Sequence, residues 1–141
     1  MTTIENQNSL VTATLVADGD RLSFLPRYFG ECLMLRGEMT VYWFMDYLSE
    51  DYTGGYWHFY TLSNSGFFMA PDYDKLMRVS VEGNGFEGEL SPNAAGIVAN
   101  LFALGHLAAE IQNDRIIELY HLLREFACDH PESGMILRAI D

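Results

Sequence analysis

The residues best suited to moving protons, holding metals or attacking carbonyls are four histidines, His58, His106, His121 and His130, and two cysteines, Cys32 and Cys128. A helical zinc grip needs two histidines four positions apart with a glutamate beside the first, and no pair here has that spacing. The cysteines stand far apart and form no CxxC pair, so neither a zinc site nor a disulfide framework is expected, and both read as small buried hydrophobes. No GxSxG elbow exposes a serine and no GxxxxGK[ST] loop cradles a phosphate. Gly83-Asn84-Gly85 lacks the third glycine and following helix of a dinucleotide loop and reads as a turn. Asp72 and Asp74, flanking Tyr73, bring too few oxygens for a hard cation and read as a solvated loop. One hydrolytic arrangement can be written, His58 with Asp46 or Glu50 as its carboxylate partner. A hydrogen-bonded structural histidine in an aromatic strand is the simpler reading, so no catalytic residue, metal or cofactor is expected.

Tyr56, Trp57, Phe59, Tyr60, Phe67 and Phe68 could stack on single-stranded bases, but such platforms work beside a cationic groove. Between Asp46 and Asp74 there is no Lys or Arg, so core packing and partner docking account for these rings. The whole chain carries 20 acidic against 8 basic residues, a formal net charge of −12. Direct nucleic-acid binding is therefore disfavoured. The excess is not confined to a tail: residues 1–70 hold eight acids and three bases, and residues 71–141 hold twelve and five. Such a field serves solubility or imitates DNA, and charge alone decides neither. Arg21, Arg27, Arg36, Arg115, Arg124 and Arg138 are spread widely enough for salt bridges with the surrounding acids to explain them.

These residues need a scaffold, and 141 residues suit one domain with one core. Residues 1–9 are polar and read as a flexible N-terminal segment; residues 10–141 read as a single domain. Residues 10–16 (LVTATLV) have the β-branched richness of a strand. Pro26 forbids a long regular helix through residues 21–30, which are expected to be irregular with a helical piece. Val41, Tyr42, Met45 and Leu48 form a helical stripe within 37–50. Residues 56–62 and 66–70 make a hairpin about the Ser63-Asn64-Ser65-Gly66 turn. Residues 76–82 and 86–90 make another about Asn84-Gly85, which tolerates positive φ. A four-strand antiparallel meander follows. Ser91 then caps, and Pro92 opens, a long helix with Ala94, Ile97, Val98, Leu101, Leu104, Ala108 and Ile111 on its inner face, where Gly96 and Gly105 admit a close neighbour. Asn113-Asp114 starts another helix with Ile116, Ile117, Tyr120, Leu123 and Ala127 inside, ended by Pro131, and an amphipathic piece covers 135–140. The fold class is α+β: a small antiparallel meander packed against several helices. The N-terminus lacks the basic and apolar regions of a signal peptide, and no run of about 18 apolar residues is evident, so a cytoplasmic protein is expected.

Across nearly its whole length the chain resembles the ArdB/KlcA antirestriction family. The resemblance rests on LVTATLV at 10–16, FLPR and FG within 24–30, RGE at 36–38, GGYW at 54–57, FYTLSN at 59–64 and MAP at 69–71. It continues through GNGFEGELS at 83–91, AAGIVANLFALG at 94–105, YHLLREFA, HPE and the terminal RAID. Ser65 and Phe68 depart from the commoner glycine and tyrosine, and 31–35 and 112–117 fit loosely. The resemblance implies a protein of mobile elements that relieves type I restriction with little effect on modification. Its partner would be the type I restriction–modification complex or an associated host factor. The alternatives are an acidic DNA mimic competing for the restriction enzyme and the small hydrolase above. If a docking surface exists, the candidates are the residues about the turns, Asn64 and Asn84, together with Tyr52, Trp57, Asp72, Tyr73, Arg138 and Asp141. For the two asparagines turn geometry is the competing explanation, and for Trp57 it is packing.

Overall fold

A computed structural model describes residues 10–141, so the expectation of a flexible segment over 1–9 lies outside the described residues. In Trp57–Leu62 burial alternates over the first positions, as in a strand with one face on a core, whereas all five residues of Phe67–Pro71 are buried. They pair antiparallel, Phe59 opposite Met69 and Tyr60 opposite Phe68. The turn is held by Asn64, whose Oδ1 accepts from the Gly66 N–H at 3.0 Å, and it places Ser65 at φ +78°, a region that favours glycine. A short strand, Ala13–Leu15, adds to the other side. Calling these strands β1 (Ala13–Leu15), β2 (Trp57–Leu62) and β3 (Phe67–Pro71), the sheet order is β1-β2-β3. Met77–Val81 (β4) and Phe86–Leu90 (β5) form a separate two-stranded ladder about Asn84-Gly85, with Gly85 at φ +74°.

Among the described residues five α-helices complete the domain: α1 (Arg21–Phe29), α2 (Met34–Leu48), α3 (Pro92–Ile111), α4 (Asp114–Asp129) and α5 (Ser133–Ile140). Helix α3 is the hub, packing against α2, α4, α5 and β3. Its start follows from Ser91, whose Oγ accepts from the Ala94 N–H at 3.1 Å. Glu132, just before α5, accepts from both the Ser91 N–H (3.0 Å) and the Ser91 hydroxyl (2.6 Å), tying that cap to a residue 41 positions on. Asn113 caps α4 by accepting from the N–H groups of Arg115 and Ile116. By length and composition α3 is apolar enough to cross a membrane, contrary to the expectation that no segment qualifies. Most of it is buried among the other elements, as befits the core helix of the fold.

The fold class is the α+β arrangement expected, but the strands form two sheets where one meander was anticipated. The reason lies on the outer edge of β3, which α3 occupies before β4 can. A Cβ on Gly96 would stand 2.7 Å from Ala70 Cα and from Met69 O, so only glycine lets the helix come this close. One turn on, the wholly buried Asn100 accepts from the Met69 N–H at 3.2 Å and donates to Met69 O at 2.8 Å. A side-chain amide thus completes the ladder where a fourth strand would have continued it. Gly105 is less constrained, its nearest neighbour being the Tyr120 ring at an ordinary 3.6 Å.

Other corrections have equally local causes. Helix α1 runs through Pro26: the ring removes one bond to the Leu22 carbonyl, at a residue 94% exposed where water reaches, while Phe24, Tyr28 and Phe29 of the same helix are buried. Cys32 and Cys128 are exposed, the first in the turn before α2 and the second beside the buried face of α4 formed by Ile116, Leu119, Leu123, Phe126 and Ala127. Ile117, expected inside, is exposed by the same helical geometry. Arg36 pairs with Glu110, Arg115 with Glu118 and Arg124 with Asp141, as anticipated. Arg21 instead lies over the rings of Tyr56 (4.4 Å) and Phe59 (4.2 Å), and Arg27 over Tyr28 (5.2 Å).

Candidate functional site

Four of the eight residues singled out from sequence, Tyr52, Trp57, Asp72 and Tyr73, come together where the chain leaves α2 and where β2 and β3 meet the loop 72–76. Trp57 Nε1 donates to Tyr52 OH at 3.1 Å, and the Tyr52 and Tyr73 rings lie 6.0 Å apart. Tyr73 OH accepts from the Thr53 N–H at 2.6 Å and donates to Gly54 O at 2.9 Å, pinning the Gly54-Gly55 bend. Trp57 is buried, so it supports this cluster and presents no surface. Burial raises the Tyr52 phenol above its ordinary pKa. It raises Tyr42, whose ring lies tilted against Trp57 and whose hydroxyl donates to Glu38 Oε2 at 2.7 Å, further still, with the carboxylate adding to the effect. Both phenols stay protonated at neutral pH and serve as hydrogen-bonding and packing groups.

His58 Nε2 lies 3.1 Å from Asp72 Oδ1, so the carboxylate beside it is Asp72, and neither Asp46 nor Glu50 takes that place. The contact orients the imidazole at the strand surface. Among the described residues no group of three or more His, Cys, Asp or Glu side chains is disposed to hold a metal ion.

The other four residues lie elsewhere, and the two asparagines among them act as tethers. Asn64 Nδ2 donates to Leu122 O (2.9 Å) and Glu125 Oε1 (2.7 Å), fastening the β2–β3 turn to α4. Asn84 Nδ2 donates to Ala139 O at 2.9 Å and Arg138 O at 3.3 Å, fastening the β4–β5 turn to α5. Asn84, Arg138 and Asp141 share a shallow depression with Phe86 and Glu87.

Sequence reasoning passed over the outer face of α2. Leu35, Met39, Trp43 and Tyr47 recur every four residues and are all more than half exposed, Trp43 at 59% and Tyr47 at 51%. At about 100° per residue they sit opposite the buried Gly37, Val41, Met45 and Leu48. Leu35, Met39, Trp43, Phe44 and His106 line a groove of about 580 Å³. Trp43 stacks on Tyr47 at 5.3 Å with planes 10° apart, and Tyr47 in turn walls a recess of about 400 Å³ bordered by Glu50, Asp51, Glu82, Ser80 and Arg78. The signal is present in the sequence as a second stripe at helical spacing, beside the inner one of Val41, Met45 and Leu48.

The chain is thus a small α+β domain built about a central helix, with its turns tethered to neighbouring helices and, among the described residues, an exposed aromatic face on α2. The sequence model of the antirestriction protein family matches residues 50–141, and the chain belongs to that family. The antirestriction protein KlcA of Escherichia coli is 56% identical over 142 residues, covering 98% of this chain and 100% of that protein. The uncharacterized protein YafX of Escherichia coli K12 is 43% identical, covering 93% of this chain and 88% of its own length. A solved structure at 58% identity superposes with a TM-score of 0.88, covering 94% of this chain and 96% of that one. It comes from work describing the KlcA and ArdB proteins as having a novel fold and antirestriction activity against type I DNA restriction systems in vivo but not in vitro.

Proposed function

We propose that this chain relieves type I DNA restriction in the cytoplasm by binding a protein, either the restriction–modification complex or a host factor acting with it, with no bond made or broken in the domain. The observation that carries this is the behaviour of the KlcA and ArdB proteins, of which one solved structure shares this fold at 58% identity: activity in vivo and none in vitro. A competitor for the DNA site would act on the purified enzyme, whereas a protein that needs a cellular component would not. The test is expression in a restricting host challenged with unmodified phage. Plating efficiency rises relative to an empty vector and methylation of host DNA is unchanged; no rise refutes the proposal.

The net charge of −12 favours a second reading, an acidic mimic competing with DNA. It requires binding to the purified complex that weakens steeply with salt. Absent or salt-insensitive binding rejects it.

A further inference from the structure

We propose that the outer face of α2 and the recess at its C-terminal end form one docking site for an amphipathic helix of another protein, apolar along its length and carrying a lysine or arginine at the end that reaches the recess. This rests on the reading that the domain works by binding protein.

Size and chemistry set the occupant. From Leu35 to Tyr47 the stripe spans 13 residues, about 18 Å of helix, which matches roughly three turns of a helix laid alongside. Leu35, Met39 and Trp43 are apolar and exposed, and methionine adapts to differing side chains. Patches of this kind on a folded monomer mark interaction surfaces.

The groove ends in negative charge. Beyond the Trp43–Tyr47 stack the recess sets Glu50, Asp51 and Glu82 against a single guanidinium, Arg78. Asp46 is exposed in the same last turn, and α2 has no basic residue there to offset the partial negative charge of its C-terminus. Asp51 Oδ2 accepts from the Arg78 N–H at 2.7 Å, which holds the recess in shape, while Glu50 and Glu82 are exposed. A cation arriving along the groove meets an aromatic face at Tyr47 and then carboxylates. A second copy of this chain would bring another body of net charge −12 and the same acids to the recess, so like charge opposes self-association there.

The experiment uses two labelled 16-residue helical peptides with identical leucine faces, one ending in three arginines and the other in three glutamates, followed by fluorescence anisotropy. The arginine peptide is expected to bind at least about tenfold more tightly than the glutamate peptide in low salt, with the advantage shrinking as salt rises. It should blue-shift the emission of exposed Trp43, Trp57 being buried. Trp43→Ser with Tyr47→Ser should abolish binding, and Glu50→Lys with Glu82→Lys should abolish the preference, while Glu118→Lys on α4 changes neither. Equal affinity for both peptides, binding of neither, or binding that survives Trp43→Ser with Tyr47→Ser overturns the proposal. So does a dimer in sedimentation at micromolar concentration that the same double substitution dissociates. No restriction enzyme is involved, so these results are separable from phage protection, which tests the proposed function itself.

Discussion

Replacing Asn100 with leucine tests whether the outer edge of β3 depends on a side-chain amide. Leucine is close in size and apolar, so the site stays filled, but it leaves Met69 with a backbone N–H and C=O that Asn100 had paired at 3.2 and 2.8 Å in a fully buried position. Each stranded buried group costs about 1–3 kcal/mol. With part of the sum offset by the leucine's apolar burial, the expected loss is about 2–4 kcal/mol out of a total of about 5–15 for a domain. Urea unfolding at pH 7 followed by circular dichroism should then show a lower midpoint with an unchanged slope. Asn100→Asp sharpens the test. An ionised carboxylate can accept from the Met69 N–H but faces Met69 O with no proton to donate, so this variant should regain stability relative to wild type as the pH falls and the carboxyl protonates. A loss below about 0.5 kcal/mol for Asn100→Leu, where stranding even one buried group should cost more, would refute the account.

Gly96→Ala should destabilise by about 1–3 kcal/mol despite alanine's better helix propensity, because the new methyl meets strand backbone at 2.7 Å. Gly105→Ala, with only the Tyr120 ring at 3.6 Å, should instead raise stability by about 0.5–1 kcal/mol, and thermal melts of the two variants decide between opposite signs. Ser65→Gly should stabilise by about 0.5–1 kcal/mol in the same assay, since φ is +78° there. His130 Nδ1 accepts from the Glu132 N–H at 2.9 Å and its Nε2 faces Asn93 Oδ1 at 3.0 Å, and burial, only partly opposed by Glu132, lowers its pKa below 6.5. The unfolded chain therefore takes up the proton first, and the stability His130 contributes above pH 6.5 is lost as the pH falls through its folded value. The stability gap between wild type and His130→Gln should narrow below pH 6.5, and parallel curves would contradict this. Cys32 and Cys128 should both react with a thiol reagent in the native protein; a thiol that reacts only after denaturation would place it inside.

Elements whose ends are written in local chemistry were legible in the sequence. Ser91-Pro92 opens α3 and Asn113 opens α4 because a cap needs only the few N–H groups beside it, and Asn84-Gly85 turns β4 into β5 because positive φ is a property of the dipeptide. Whatever depends on a partner distant in sequence was not. The meander failed to form because Asn100 and Gly96, some 30 residues on, take the edge of β3, and no alternation within the strands reports that. Pro26 was read as a breaker because the burial of Phe24, Tyr28 and Phe29 that outweighs one lost hydrogen bond is tertiary. Of the candidate contact residues, Asn64 and Asn84 were visible as turn formers, but their second hydrogen bonds, to α4 and α5, were not. The outer stripe of α2 was readable, since Leu35, Met39, Trp43 and Tyr47 keep helical spacing. It does not stand out because one apolar stripe is enough to bury a helix.

The cap of α3 carries a consequence for the order in which the domain assembles. Ser91 can satisfy the Ala94 N–H as soon as that stretch coils, but the carboxylate that fixes Ser91 belongs to Glu132, and both α3 and α4 lie between them. During synthesis the hydrophobic hub is therefore made before the residue that clasps its beginning. Until Glu132 arrives the nascent chain holds its most apolar segment in an unlatched form, so codon changes that slow the ribosome between positions 112 and 131 should lengthen the interval in which chaperones compete for it.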